Sequence, residues 1–287
     1  MPQTVHPVPE CGPEAQATYA ADGFVVARGL FSCEEVDHLN SHFMRLRAEG
    51  VYEGDFAGVD LASEDPLKRF PRMIHMHRWD ETSLKWMIDP RLNRWLTALL
   101  GREPLAVQTM LYFKPPGARG QALHQDQYYL KVKPGTCMAA WLALDRCDEA
   151  NGCMQVAPGS HLWPLLCPQM ADTSISFTDT TVPLPPGQPI RPVLMAPGDV
   201  LFFNGSLVHG SYTNTTHDRF RRALIGHYIA GEAEQVGGYY HPILRMDGNL
   251  VTLGMSPDGG PCGLWAEIDG RPEITMRGQL TSGQTHE

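Results

Sequence analysis

In the segment "QALHQDQYYL" (121–130), His124 and Asp126 stand two residues apart. On a strand, side chains two apart leave on the same face. An imidazole nitrogen and a carboxylate oxygen could therefore converge on one metal ion. Alone the triplet is weak evidence, because a polar strand face accounts for it equally well. Further along, "APGDVLFFNGSLVHGSYTNTTHDRFRRALIGHY" (196–228) reads as a turn feeding a buried strand, then His209, a polar turn and a pair of arginines on a returning strand. Two histidines and one carboxylate form a facial triad that leaves three positions open on Fe(II). Those positions suit a bidentate 2-oxo acid and O2. The far carboxylate of such a co-substrate needs a fixed cation, a task that suits the planar fork of arginine. If "TNTTHD" turns the chain about Thr215, residue 209 faces residue 221. His209, Ser211, Arg219 and Arg221 then share a face while Arg222 points away.

Other histidines compete for the third ligand position. His217 lies in the polar turn and is expected to be solvated. His227 continues the parity of Arg221 but is expected to pack structurally. In "RMIHMHRWD", His75 and His77 are again two apart and could hold a second metal. A segment lining a substrate entrance is the preferred reading there. Tyr128 and Tyr129 directly follow the candidate ligands, and one of them is expected to face the substrate. Arg119, in the turn-rich "YFKPPGARGQ", is a further candidate substrate contact, and His161 in "NGCMQVAPGSH" is expected to be structural.

These residues need strands to hold them. "SCEEVDHLNSHFMRLRAEG" (32–50) predicts a helix with Ser32 as N-cap, Glu35 three residues on and Gly50 as its end. A second helix is expected over 81–100, broken or kinked at Asp89-Pro90. From about residue 104 the chain becomes a series of short β-rich runs separated by PPG, NG, APGS and APGD turns. Helices first and serial strands afterwards predict a mainly β fold with flanking α-helices, an antiparallel barrel or jelly roll. With no linker in evidence, 1–287 is expected to be one domain, with 1–13 as a flexible arm.

Composition narrows the partners. A net charge of -9 and a pI near 5.7 argue against nucleic acid or an anionic membrane surface. No apolar run approaches the roughly 20 residues that span a bilayer. The first residues do not read as a secretory signal, and the last carry no evident address. Seven cysteines, an odd number with no C-x-x-C pair, predict neither a disulfide framework nor structural zinc, and fit a reducing cytoplasm. Oligomeric state is left open.

With these residues placed, the chain resembles the phytanoyl-CoA dioxygenase family of Fe(II)/2-oxoglutarate oxygenases. The resemblance runs in order through "DGFVVARGLFSCEEVDHL", "MLYFKPPG", "HQD", "NGCMQVAPGSH", "PGDVLFFNGSLVHGS" and "FRRAL". It implies a double-stranded β-helix (jelly roll, cupin-like) and iron held by His124, Asp126 and His209. It further implies 2-oxoglutarate held by Arg221 and Ser211, with Tyr112 and Trp141 along the same wall. An aspartate at position 126 favours oxygen insertion over halogenation, for which related enzymes carry a small residue there. The implied activity is hydroxylation of an unactivated C–H bond of a small, polar molecule, with O2 as co-substrate and release of succinate and CO2. The alternative is a non-catalytic, cupin-like metal- or ligand-binding protein.

Overall fold

The computed structural model describes residues 8–50, 52, 58–257 and 261–277. Its elements run α1 (Pro13–Asp22), β1 (Phe24–Ala27), α2 (Cys33–Ala48), α3 (Pro66–Arg69), β2 (Met73–Ile74), α4 (Glu81–Met87) and α5 (Pro90–Leu100). Then come β3 (Pro104–Tyr112), β4 (Gln121–His124), α6 (Gln127–Leu130), β5 (Cys137–Ala143), β6 (Met154–Val156), β7 (Gln169–Met170) and β8 (Thr180–Thr181). The last strands are β9 (Arg191–Val193), β10 (Val200–Asn204), β11 (His209–Ser211), β12 (Ala223–Ala230), β13 (Gln235–Gly237), β14 (Ile243–Arg245), β15 (Leu250–Val251), β16 (Gly254–Ser256), β17 (Gly263–Ile268) and β18 (Arg271–Met276).

A major sheet orders its strands β1-β10-β5-β12-β3-β14-β15, with β2 added on β3, and a minor sheet orders them β4-β11-β6-β9. This is the expected double-stranded β-helix with helices on one side. The strands of the major sheet read as unbroken apolar runs because both faces are buried. On β10, Val200 and Phe202 face the helices while Leu201 and Phe203 face the minor sheet. Trp141 on β5 and Ile225 on β12 join Leu201 and Phe203 in the core between the sheets. Trp95 of α5 stacks flat on Phe202, with centroids 5.3 Å apart, and seats the helical layer.

The helices follow their sequence signals. Ser32 Oγ accepts from Glu35 N at 3.2 Å and the Glu35 carboxylate accepts from Ser32 N at 2.8 Å, a capping box that satisfies two end donors. Arg91 reaches that same Glu35 at 2.7 Å and pins α5 to α2. The expected break at Asp89-Pro90 divides the second helix into α4 and α5. Pro90 cannot donate to a preceding turn, and Asp89 caps α5 by accepting from Arg91 N at 2.7 Å. Of the expected arm, residues 1–7 lie outside the described residues. Residues 8–12 run along α5, where Trp95 Nε1 donates to Pro9 O at 2.9 Å, and Pro13 opens α1.

The cysteine expectation needs correction. Cys167 and Cys262, 95 residues apart, form a disulfide. It ties the loop after Trp163 to the hairpin of β17 and β18, whose Trp265 and Ile274 pack against Leu166 and Val182. Odd counts and missing motifs say nothing about a pair brought together only by tertiary packing. Cys11, Cys33, Cys137, Cys147 and Cys153 are free thiols.

Candidate active site

A cavity of about 450 Å³ opens between the two sheets. His124 closes β4, and His209 opens β11 directly opposite it in the strand register. Their rings lie 4.2 Å apart. Asp126 is not on the strand: the chain leaves β4 after His124, and Asp126 has helical backbone angles at the start of α6. The same-face rule for strands therefore does not account for the position of Asp126. A tight turn, rather than strand parity, swings it back toward the two imidazoles. One ligand atom from each of His124, Asp126 and His209 lies within 4.8 Å of the others, the only such group of three among the described residues.

The hydrogen bonds around these side chains set their protonation. His124 Nδ1 lies 2.9 Å from Ala122 O, and His209 Nδ1 lies 2.9 Å from Leu207 O. A carbonyl oxygen can only accept, so both imidazoles carry their proton on Nδ1 and turn the bare Nε2 inward. Asp126 Oδ1 sits 3.4 Å from His124 Nε2 and 3.7 Å from His209 Nε2. Burial by itself raises the Asp126 pKa, but His209, His124 and His227 together hold it well below the ordinary carboxylate range. Burial first, then the neighbouring His124, pushes His209 down to about 4. Two imidazole nitrogens and a carboxylate thus converge on one point of the cavity wall. That donor set fits a divalent cation with N,O preference.

His227, weighed as a rival ligand, instead bonds the candidate ligand Asp126. Its Nε2 donates to Asp126 Oδ2 at 3.1 Å, the outer oxygen of the carboxylate. Such outer partners orient a ligand and raise its affinity for metal. His217 is exposed in its turn, as expected. His161 Nε2 lies 3.2 Å from Ala20 O and serves packing.

Arg221 also lines the cavity, 3 % exposed, with its guanidinium 5.2 Å from the centroid of the Trp141 ring. Nε donates to Gly152 O at 3.0 Å, while buried Nη1 has no partner. Burial pushes the Arg221 pKa down from its ordinary value, the cost of a desolvated cation with no facing carboxylate. Arg219 and Arg222 are spent elsewhere, on Asp148 and Asp145, each at 2.7 Å. Arg221 is therefore the arginine of this cluster that faces the cavity, but not for the reason drawn from a hairpin. β11 pairs with β4 and β6, and β12 pairs with β3 and β5. The segment after His209 crosses between sheets, so residues 209 and 221 never lie opposite each other. Ser211, Tyr112 and Trp141 also line the cavity.

The remaining candidates divide. Tyr129 lines the cavity beneath a 42 % exposed face, whereas Tyr128 lies in a narrow side cleft with Leu123 and Val182. Arg119 does not line the cavity; it pairs with Asp65 at 2.8 Å. His75 and His77 sit behind the wall. His77 Nδ1 lies 2.9 Å from Thr109 Oγ1, and the His75 ring rests 4.8 Å from that of Tyr239. Burial, then Arg78, lowers His75 to about 3 and His77 to about 4. Arg72 and Ile74 of the "RMIHMHRWD" segment line the cavity, whereas Gln121, Asp179, Tyr239 and Tyr240 line it without having been singled out. Nothing local marks them, since they come from separate segments that meet only in the folded chain.

Comparison with known proteins now bears on this geometry. The family model for phytanoyl-CoA dioxygenase matches residues 19–223. The chain belongs to this family. It is 28% identical over 234 residues to the peroxisomal phytanoyl-CoA dioxygenase of Mus musculus, covering 77% of this chain and 69% of that one. It is 32% identical over 247 residues to the multifunctional dioxygenase ausE of Penicillium brasilianum, covering 78% and 74%. Among solved structures, the epimerase SnoN from nogalamycin biosynthesis, in complex with Fe3+ and alpha ketoglutarate, superposes with a TM-score of 0.58 and 26% identity over 76% of this chain and 83% of that one. This phytanoyl-CoA dioxygenase family member is an enzyme of the iron- and 2-oxoglutarate-dependent dioxygenase class. Among its described residues, no helix is long and apolar enough to cross a membrane.

Proposed function

We propose that this chain is a single-domain Fe(II)/2-oxoglutarate-dependent hydroxylase of a small, polar molecule. The observation that carries the reading is the meeting, in one cavity, of the His124, Asp126 and His209 donor set with the unpaired guanidinium of Arg221. In this reading the triad holds Fe(II). Arg221 pairs with the far carboxylate of 2-oxoglutarate, Ser211 donates to it, and Tyr112 and Trp141 wall its carbon chain. Iron so held supplies the redox chemistry that couples decarboxylation of 2-oxoglutarate by O2, giving succinate and CO2, to oxygen insertion into a C–H bond.

The protein's part is binding and shelter. Asp126 is held well below the ordinary carboxylate range, and backbone carbonyls that accept from the Nδ1 of His124 and His209 turn each Nε2 toward it. Phe203, Ile225 and Met154 keep water from the inner end. The outer end carries Arg72, Asp179, Thr178, Thr180, Tyr129 and Tyr239, which supports a polar substrate. A volume of about 450 Å³ fits a small molecule beside the co-substrate. The Cys167–Cys262 disulfide removes the cysteine argument for a cytoplasmic setting.

The test is succinate release from 2-oxoglutarate across a panel of metabolites, followed by mass analysis of the product made under ¹⁸O2. The reading expects one compound to stimulate succinate release strongly and to gain one labelled oxygen. No stimulation by any compound, or a product without label, would contradict hydroxylation.

A further inference from the structure

A second buried cation, Lys114, lies behind the cavity wall next to Ser211 and Arg221. Lys114 follows β3 in "YFKPPG", with a left-handed backbone (φ 37°) and 2 % exposure. Its Nζ donates to Ser211 Oγ at 2.8 Å, to Tyr212 O, and to Gly152 O at 3.5 Å. Three oxygen acceptors call for three hydrogens, the complement of an ammonium. Gly152 O is the same carbonyl that accepts from Arg221 Nε at 3.0 Å. Gly152 itself has φ 82°, and a Cβ there would fall 2.6 Å from Tyr212 O and 2.9 Å from Lys114 Cδ, so the lysine stem is fitted tightly. Among the described residues no carboxylate pairs with Lys114 or Arg221. A buried ammonium is costly, and a well-packed apolar side chain of similar volume would ordinarily serve stability as well or better.

Ser211 shows what the ammonium does. Its Oγ accepts from Lys114 Nζ at 2.8 Å and from Gln121 N at 3.1 Å. With both lone pairs engaged, the one hydroxyl proton has to be given away, and Ser211 lines the cavity. Without Lys114, a lone pair would be free to turn inward and repel an incoming carboxylate.

We propose that Lys114 is a positioning residue: from behind the cavity wall it holds the Ser211 hydroxyl as a donor toward a carboxylate seated against Arg221. This rests on the reading of Arg221 and Ser211 as the clamp for 2-oxoglutarate. Burial and the neighbouring Arg221 push the Lys114 pKa well below the ordinary lysine range, a pressure that an arriving anion relieves.

The experiment is anaerobic titration of the full chain, first with Fe(II) and then with 2-oxoglutarate, read by the visible charge-transfer absorbance and by calorimetry. It is run on the wild type, Lys114→Met, Ser211→Ala and the double variant. A wild type that binds Fe(II) but no 2-oxoglutarate overturns the clamp reading and the role of Lys114 with it. Given wild-type binding, Lys114→Met should weaken 2-oxoglutarate about 10- to 100-fold, the range seen when partners behind a ligand-holding group are removed. Fe(II) affinity should stay within about twofold, and adding Ser211→Ala should cost little more, because the two side chains act as one unit. Unchanged 2-oxoglutarate affinity, multiplicative losses in the double variant, or a parallel loss of Fe(II) affinity would reduce Lys114 to a strut. Should Lys114→Met fail to fold, Lys114→Gln keeps two N–H donors and should show an intermediate loss. No loss in that variant overturns the proposal.

Discussion

Replacing Arg221 by Met separates the cost of the site from its use. Arg221 is buried, keeps one Nη without a partner and has only the Gly152 carbonyl on Nε. Before the co-substrate binds, the charge is a desolvation penalty, offset in part by that hydrogen bond and by the face of Trp141. Met fills similar space without a charge. The variant loses one hydrogen bond, about 1 kcal/mol, and sheds the penalty, so its unfolding free energy without ligand should stay within about 1 kcal/mol of wild type. Binding behaves differently. Removing one partner of a buried, hydrogen-bonded charge pair costs roughly 2–5 kcal/mol, or about 30-fold to several thousand-fold in affinity. Urea unfolding of the metal-free protein gives the first quantity, and calorimetric titration of the Fe(II) form with 2-oxoglutarate gives the second. A large loss of ligand-free stability together with undiminished 2-oxoglutarate affinity would refute the reasoning, because Arg221 would then be structural.

Three further expectations follow from the same geometry. His124→Ala, Asp126→Ala and His209→Ala should each abolish Fe(II) retention and turnover. His75→Ala should retain iron, since His75 stands outside the triad, and metal analysis after gel filtration would show a misassignment if that variant lost it. Cys262→Ser should lower the unfolding free energy by about 2–4 kcal/mol, because the bridge closes a long loop in the unfolded chain, while Fe(II) affinity is kept; denaturant melts equal to those of wild type would contradict this. The third concerns acid. His75 and His77 are held near 3 and 4, below the unfolded value of about 6.5, so under acid the unfolded chain binds protons that the folded chain refuses. Their stabilising effect is complete above about pH 6.5 and declines toward pH 4, by on the order of 2 kcal/mol per histidine at about pH 5. Replacing both with Gln should flatten that decline in urea melts, and an unchanged slope would rule it out.

What was legible in the sequence was mostly local. The capping box of α2 and the proline break between α4 and α5 depend on neighbours in the chain, and both stand where their residues put them. The strands of the major sheet were visible as apolar runs, although burial of both faces erased the alternation that would have shown which side met the minor sheet. His124, Asp126 and His209 could be picked by type and order, yet Asp126 joins the triad through a turn into α6 that strand parity cannot represent. Arg221 was chosen through a hairpin that does not exist; the crossover from β11 to β12 happens to leave it inward. Lys114 escaped notice because "KPPG" reads as a turn, and a lysine beside prolines is ordinarily solvated. Its burial comes from Gly152, Ser211 and Tyr212, all distant in sequence. The same holds for Cys167 and Cys262, whose meeting depends on where β17 and β18 dock.

The account's central claim is that one cavity seats Fe(II) on His124, Asp126 and His209 and 2-oxoglutarate against Arg221. Anaerobic titration of the Fe(II)-loaded wild type with 2-oxoglutarate tests it most directly. A visible charge-transfer band that saturates at one equivalent, and that is absent in Asp126→Ala, is the predicted result. A wild type that retains iron yet shows no band at any 2-oxoglutarate concentration, or a band that persists in Asp126→Ala, would contradict it.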